Sequence, residues 1–216
     1  MAKRKGGVTR FHGATRTAIA GQGVSEDPIT LGADGSILIN LTRLPAPDKI
    51  YDADLSWVRR GRGYVSFFFG KENVDDPSKL RTRLEVKYAP EAFVRHFWRN
   101  SREFHEKMRT QLQSWPQDPS LEVVDGARMP AEKDHSEWAN FDYMARSGTH
   151  GTIDFFLLPA PGVARFIQGQ GSSGLTLVPV VRVMMTVHEL SRLLDLVDGM
   201  VDEVKKYLPP EVLKDD

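Results

Sequence analysis

Between residues 51 and 208 the chain runs through the same succession of patterns twice, and this recurrence limits the available folds more than any single motif. In the first pass Leu55 and Trp57 share one face of a strand, Arg59-Arg60-Gly61-Arg62-Gly63 makes a turn, and Tyr64 to Phe69 returns as a β-prone run. Leu84, Val86 and Tyr88 then alternate with Arg83, Glu85 and Lys87, as in a half-buried strand. Pro90-Glu91 suits the first turn of a helix, where proline gives up only an N–H that has no helical partner. Phe93, Phe97, Phe104, Met108 and Leu112 continue that helix as one apolar stripe, and Pro116 ends it.

The second pass keeps the order. Phe141 and Tyr143 stand as Leu55 and Trp57 do, Ser147 to Gly151 makes the turn, and Thr152 to Leu157 answers Tyr64 to Phe69. Val180 to Met185 reads as the next strand, and Thr186 with Glu189 three places on is a capping box that opens a helix. Leu190, Leu193, Leu194, Val197, Val201 and Val204 supply its stripe until Pro209-Pro210. The pattern predicts an α+β fold of two tandem β-β-β-β-α units with antiparallel sheets. Each carries one long helix, over about 90–114 and 187–207. Four strands and one helix leave a sheet face and an edge bare, so the copies are expected to cover one another as an intramolecular pseudo-dimer.

The expected divisions are a flexible basic tail over 1–27, a first unit over 28–115, a linker with a short strand over 116–134, and a second unit over 135–216. Ile29-Thr30-Leu31, Asp34-Gly35 and Ile37 to Leu41 predict a hairpin at the start of the first unit. Leu121 to Val124 alternates as the short strand of the linker.

Each half resembles a bacterial family known only as a domain of unknown function, whose members are short strand-rich proteins ending in a helix. The stretches that carry the likeness are Ile50 to Leu55 with Tyr88-Ala89-Pro90-Glu91, and Arg182 to Glu189. The resemblance spans most of 50–112 and 138–207 and implies no catalytic residue. The chain departs from it by the duplication, the basic tail and the long loop between Ala164 and Leu175. More coarsely, four strands followed by a helix also resembles the transcriptional-coactivator and whirly folds, which grip single-stranded nucleic acid, and the SecB-type export chaperone, which holds unfolded chains. These are likenesses of topology, which do not confer function.

Several chemistries find no support in the residues. There is no cysteine, hence no disulfide, thiolate metal site or cysteine nucleophile, and a reducing, cytoplasmic setting is expected. No apolar segment follows Lys3, Arg4 and Lys5, so a secretory signal is not expected, and Val178 to Met185 is too short to cross a bilayer. Gly169-Gln170-Gly171-Ser172-Ser173-Gly174 has the spelling of a dinucleotide loop, but Leu175 to Pro179 reads as strand where that site needs a helix. His188-Glu189 begins like a zinc-protease helix, yet Arg192 stands where the second histidine belongs. Asp52/Asp54 and Asp75/Asp76 read as solvated loop charges rather than an acid–base pair. The chain is expected to be non-catalytic and to hold no cofactor or metal.

What remains is charge. Residues 1–20 carry five basic and no acidic residues, 51–115 carry 13 basic and nine acidic, and 135–216 carry seven basic and 11 acidic. Arg59, Arg60 and Arg62 form a turn flanked by Trp57 and Tyr64, while Lys79, Arg81, Arg83 and Lys87 alternate along the next strand. Cations beside aromatics on an open sheet face are what a single-strand binder uses for phosphates and bases. The first reading is therefore a single-stranded nucleic-acid binding protein. The alternative is a protein–protein adaptor or SecB-like chaperone that uses the Phe67/Phe69 and Phe155/Leu157 strand faces or the helix surfaces. In either case the chain is a candidate homo-oligomer.

Overall fold

The structure, a computed structural model, describes residues 8–12, 15–19, 29–31, 37–40, 43–72, 80–113, 133–159 and 177–213. The Leu121 to Val124 segment, the Gly169 to Gly174 loop, Asp75/Asp76 and Lys79 lie outside the described residues.

Strands β1 (Val8–His12), β2 (Thr15–Ile19), β3 (Ile29–Leu31) and β4 (Ile37–Asn40) form one sheet in the order β2-β1-β4-β3. The expected hairpin is there, with Ile29 opposite Ile39 and Leu31 opposite Ile37. The expected tail over 1–27 is corrected in part, because β1 pairs with both β2 and β4. Val8, Thr9, Thr15, Thr17 and Ile19 are β-branched strand formers, a signal that a search for apolar periodicity passes over.

The remaining strands are β5 (Ile50–Asp52), β6 (Leu55–Arg60), β7 (Val65–Glu72), β8 (Leu80–Tyr88), β9 (Lys133–Trp138), β10 (Phe141–Ser147), β11 (His150–Leu157) and β12 (Val178–Thr186). They form two sheets, β6-β7-β8-β9 and β10-β11-β12-β5. Helix α1 runs through Pro90–Ala92, a wide-turned π-helical stretch Phe93–Trp98, and Arg99–Leu112. Helix α2 is Val187–Lys205, and a final turn α3 is Pro210–Leu213. The fold is α+β.

The expectation of wholly antiparallel sheets is corrected. β5 pairs in parallel with β12, and β9 in parallel with β8, so each of these sheets ends in a strand from the opposite half of the chain. The cause is a bend between consecutive strands. At Ala53 the backbone N–H still donates to Met184 O (2.8 Å), while the next N–H, of Asp54, donates to Gly70 O in the other sheet (3.0 Å). Ala139 and Asn140 do the same, donating to Lys87 O (2.9 Å) and Phe156 O (3.0 Å). Both alanines are buried at the crossing. The register also slips at matching places, between Phe69 and Gly70 in β7 and between Phe155 and Phe156 in β11.

The core is one continuous cluster drawn from both sheets and both long helices. Phe67 sits at its centre, with ring centroids 4.2 Å from Phe97 and 6.1 Å from Phe155. Phe67, Phe69 and Phe155 are at most 1% exposed, so these strand residues belong to the core rather than to an adaptor surface, while Leu157 is half-buried.

Helix α2 begins as the capping box predicts, with Glu189 N–H donating to Thr186 Oγ1 (3.1 Å). The Glu189 carboxylate goes elsewhere. It is buried, accepts from the Ser56 hydroxyl (2.6 Å) and from the Ser56 N–H, and is held by Arg192 through Nε (2.8 Å) and a terminal nitrogen (2.6 Å). Arg192 also donates to Ser56 O. Helix α1 meets α2 where Trp98 Nε1 donates to Asp198 (3.0 Å) and His105 Nδ1 lies 3.1 Å from the other Asp198 oxygen.

Among the described residues no helix is long and apolar enough to cross a membrane, and no three His, Asp or Glu side chains group as metal ligands.

Candidate nucleic-acid interface

Hairpin geometry decides where the predicted cations go. Gly61 N–H donates to Tyr64 O (2.8 Å), which leaves a two-residue tip, Arg62-Gly63, with Gly63 at φ 79°. That positive φ suits glycine, and Gly61 is needed too, because a Cβ there would lie 2.4 Å from the Tyr64 ring. From this tip the pairing runs Arg60↔Val65, Arg59↔Ser66, Val58↔Phe67 and Trp57↔Phe68. Val65 and Phe67 face the core, so Arg60 shares the helix side of the sheet while Arg59 and Trp57 share the other side.

On that other side one row crosses all four strands, Arg59↔Ser66↔Lys87↔Trp138. Arg59 is exposed and Trp138 is 50% exposed. Tyr64 meets Trp138 edge to face, with centroids 6.2 Å apart. The Lys87 ammonium lies 5.3 Å from the Tyr64 centroid and 5.9 Å from that of Trp138, within the range of cation–π attraction. Behind it is a buried carboxylate, Glu85, which accepts from Ser66 Oγ (2.7 Å) and Ser136 Oγ (3.0 Å) and lies 3.4 Å from Lys87 Nζ. The row thus presents one exposed guanidinium, one ammonium partly balanced by Glu85, and two aromatic rings, with Arg62 exposed at the hairpin tip beside it.

The predicted residues divide. Arg59, Arg62, Tyr64 and Lys87 come together at this end of the sheet. Trp57 does not join them, because it is 9% exposed and stacks on Phe68 at 5.7 Å. Arg60 turns to the helix side, its guanidinium 4.1 Å from the Tyr207 ring centroid. Arg81 and Arg83 lie in β8, where the pairing jumps from Leu84 to Thr82 and passes over Arg83. The side chains of Arg81 and Arg83 lie outside the described residues.

Trp138 was missed from sequence. It stands beside Lys87 only because β9 crosses to the other half's sheet, and local patterning carries no sign of that exchange.

The equivalent row in the second sheet is Ala145↔Thr152↔Met184↔Asp52, with His150 at the hairpin position of Tyr64. It has no lysine, arginine or large aromatic. Arg182, nearby on the same strand, is committed to Asp154 through two 2.6 Å bonds, and that pairing raises its pKa further. Among the described residues the cation–aromatic row is therefore present on one sheet and not on the other.

No protein-family model matches the chain, and none of the curated proteins matches it.

Proposed function

We propose that the chain is a non-catalytic, single-stranded nucleic-acid binding protein, built as a pseudo-dimer of two β-β-β-β-α units. Its binding surface is the Arg59–Ser66–Lys87–Trp138 row with Tyr64 and the Arg62 tip. The observation that carries this reading is the half-exposed Trp138 ring set beside Tyr64 and Lys87 on an outermost strand. A base stacked on such a ring contributes ~1–3 kcal/mol whatever its identity, and the flanking cations take the phosphates. The matched bends at Ala53 and Ala139 and the matched bulges support the duplicated unit. The unlike residues of the two rows support a single site on a twofold scaffold.

Fluorescein-labelled oligothymidylate, followed by anisotropy from low to high salt, tests the assignment. Binding should weaken with salt at a logarithmic slope of about −0.7 for each phosphate engaged. Trp138→Ala should weaken binding about 5- to 150-fold, the equivalent of one stacked base. Arg59→Glu should lower both affinity and slope. Absence of binding at low salt, or an unaltered affinity in Trp138→Ala, sinks the reading.

A further inference from the structure

The opposite flank of the same sheet carries a second feature. β6 is an outermost strand, and its hydrogen-bonded pairs with β7 are set by the Gly61–Tyr64 bond. By the alternation of an antiparallel ladder, Arg59 and Trp57 turn their N–H and C=O toward β7, whereas Ser56, Val58 and Arg60 turn theirs outward. Ser56 is sealed, its N–H by Glu189 and its C=O by Arg192. Val58 and Arg60 instead open on a groove of about 460 Å³ between β6 and α2, floored by Val58, Leu196 and Met200. Leu196 is exposed there.

Gly199 lines this groove as well. It lies inside a 19-residue helix and has no positive φ, and a Cβ there would meet nothing within 4 Å. Neither backbone conformation nor packing among the described residues requires glycine, and an interior glycine weakens a helix relative to alanine. An exposed glycine leaves α2 without a side chain at this point of the groove. Asp195, 56% exposed and with one carboxylate oxygen 3.5 Å from His105 Nε2, stands at one end of the groove. Glu203, which also accepts from Lys206 and lies near Arg60, stands at the other.

We infer that this groove binds an extended peptide segment of another polypeptide, added as a strand along Val58–Arg60, with the pattern basic-x-apolar-x-basic. Asp195 and Glu203 are eight helical residues apart, about 12 Å along the axis. Residues i and i+4 of an extended strand are about 13–14 Å apart and point to the same face, as does i+2. One such peptide sets its apolar side chain over Gly199, between Leu196 and Met200, while its two cations reach the two carboxylates. Strand addition draws its affinity from main-chain bonds and its selectivity from alternate side chains. This site does not depend on the nucleic-acid reading.

The test uses the full chain and a fluorescein-labelled peptide, acetyl-Ser-Lys-Thr-Leu-Thr-Lys-Ser-amide, with anisotropy as the readout. Gly199→Leu, which fills the groove, should weaken binding at least tenfold while its melting temperature stays at or above that of the unsubstituted protein. Asp195→Lys should weaken it several-fold, and a peptide with glutamate for both lysines should not bind. Trp138→Ala should bind the peptide unchanged. Failure to bind at millimolar peptide, equal binding by Gly199→Leu, or equal binding of the glutamate peptide overturns the inference.

Discussion

Glu189, in the first turn of α2, accepts hydrogen bonds from both the backbone N–H and the hydroxyl of Ser56 in β6. An outward-facing peptide group of an outermost strand is thereby closed by a side chain 133 residues away, and Arg192 balances the buried charge. The contact fixes the second helix to the first half's sheet.

Glu189→Leu would leave Arg192 and the Ser56 N–H without their acceptor in a buried site. Breaking a buried pair in this way costs about 3–5 kcal/mol, so the urea midpoint should fall sharply. Ser56→Ala, which keeps the backbone bond, should cost only about 1 kcal/mol. A Glu189→Leu protein within 1 kcal/mol of the original would show that this anchor is not holding the helix.

Acid sensitivity should trace partly to His96. Burial, then the neighbouring Arg95 and Arg99, lowers its pKa from 6.5 to about 4. Below pH 6.5 the unfolded chain takes up a proton that the folded chain refuses. Stability therefore falls as the pH drops from about 6.5 to about 4, and this contribution is level above about 7. The loss amounts to about 3 kcal/mol in all. Unfolding of His96→Leu compared with the unsubstituted protein over that window should show a shallower slope in the variant. Parallel curves would place the acid lability elsewhere.

Phe155→Ala should cost about 3–5 kcal/mol, because the ring packs against Phe67, Phe69, Tyr88 and Phe97 from the opposite sheet and helix. The damage should reach both halves. Calorimetry and tryptophan fluorescence should report one coincident transition for residues 43–213 in the original and the variant alike. Two separate transitions would mean that the halves hold independent cores.

Asp198→Ala removes the acceptor of both the Trp98 indole and the His105 ring. A loss of about 1–3 kcal/mol is expected, together with a changed Trp98 emission. Unchanged emission and stability would show that the α1–α2 contact rests on apolar packing alone.

Much of this molecule is legible in its residues. The α2 cap follows from Thr186 and Glu189, the β10–β11 turn from Gly148, and the buried faces of β7 and β8 from Phe67, Phe69, Leu84, Val86 and Tyr88. What local patterning does not carry is partnership. The pairing of Lys87 with Trp138, and of Arg182 with Ile50, joins residues far apart in sequence, and nothing in either neighbourhood announces the other. The binding row was half legible for the same reason. Arg59, Tyr64 and Lys87 could be found along one stretch of chain, but the ring beside them came from another. Trp57 beside Arg59 looked available, but its burial depends on Phe68 across the ladder.

The exchange of β5 and β9 has a consequence for synthesis. Ile50 leaves the ribosome before Arg182, its ladder partner, which follows about 130 residues later. At translation rates of about 5–20 residues per second the first strand waits roughly ten seconds for a seat. During that interval a nascent chain exposes an unfilled hydrogen-bonding edge, and whatever shields it then governs yield in the cell as much as the finished protein's own stability does.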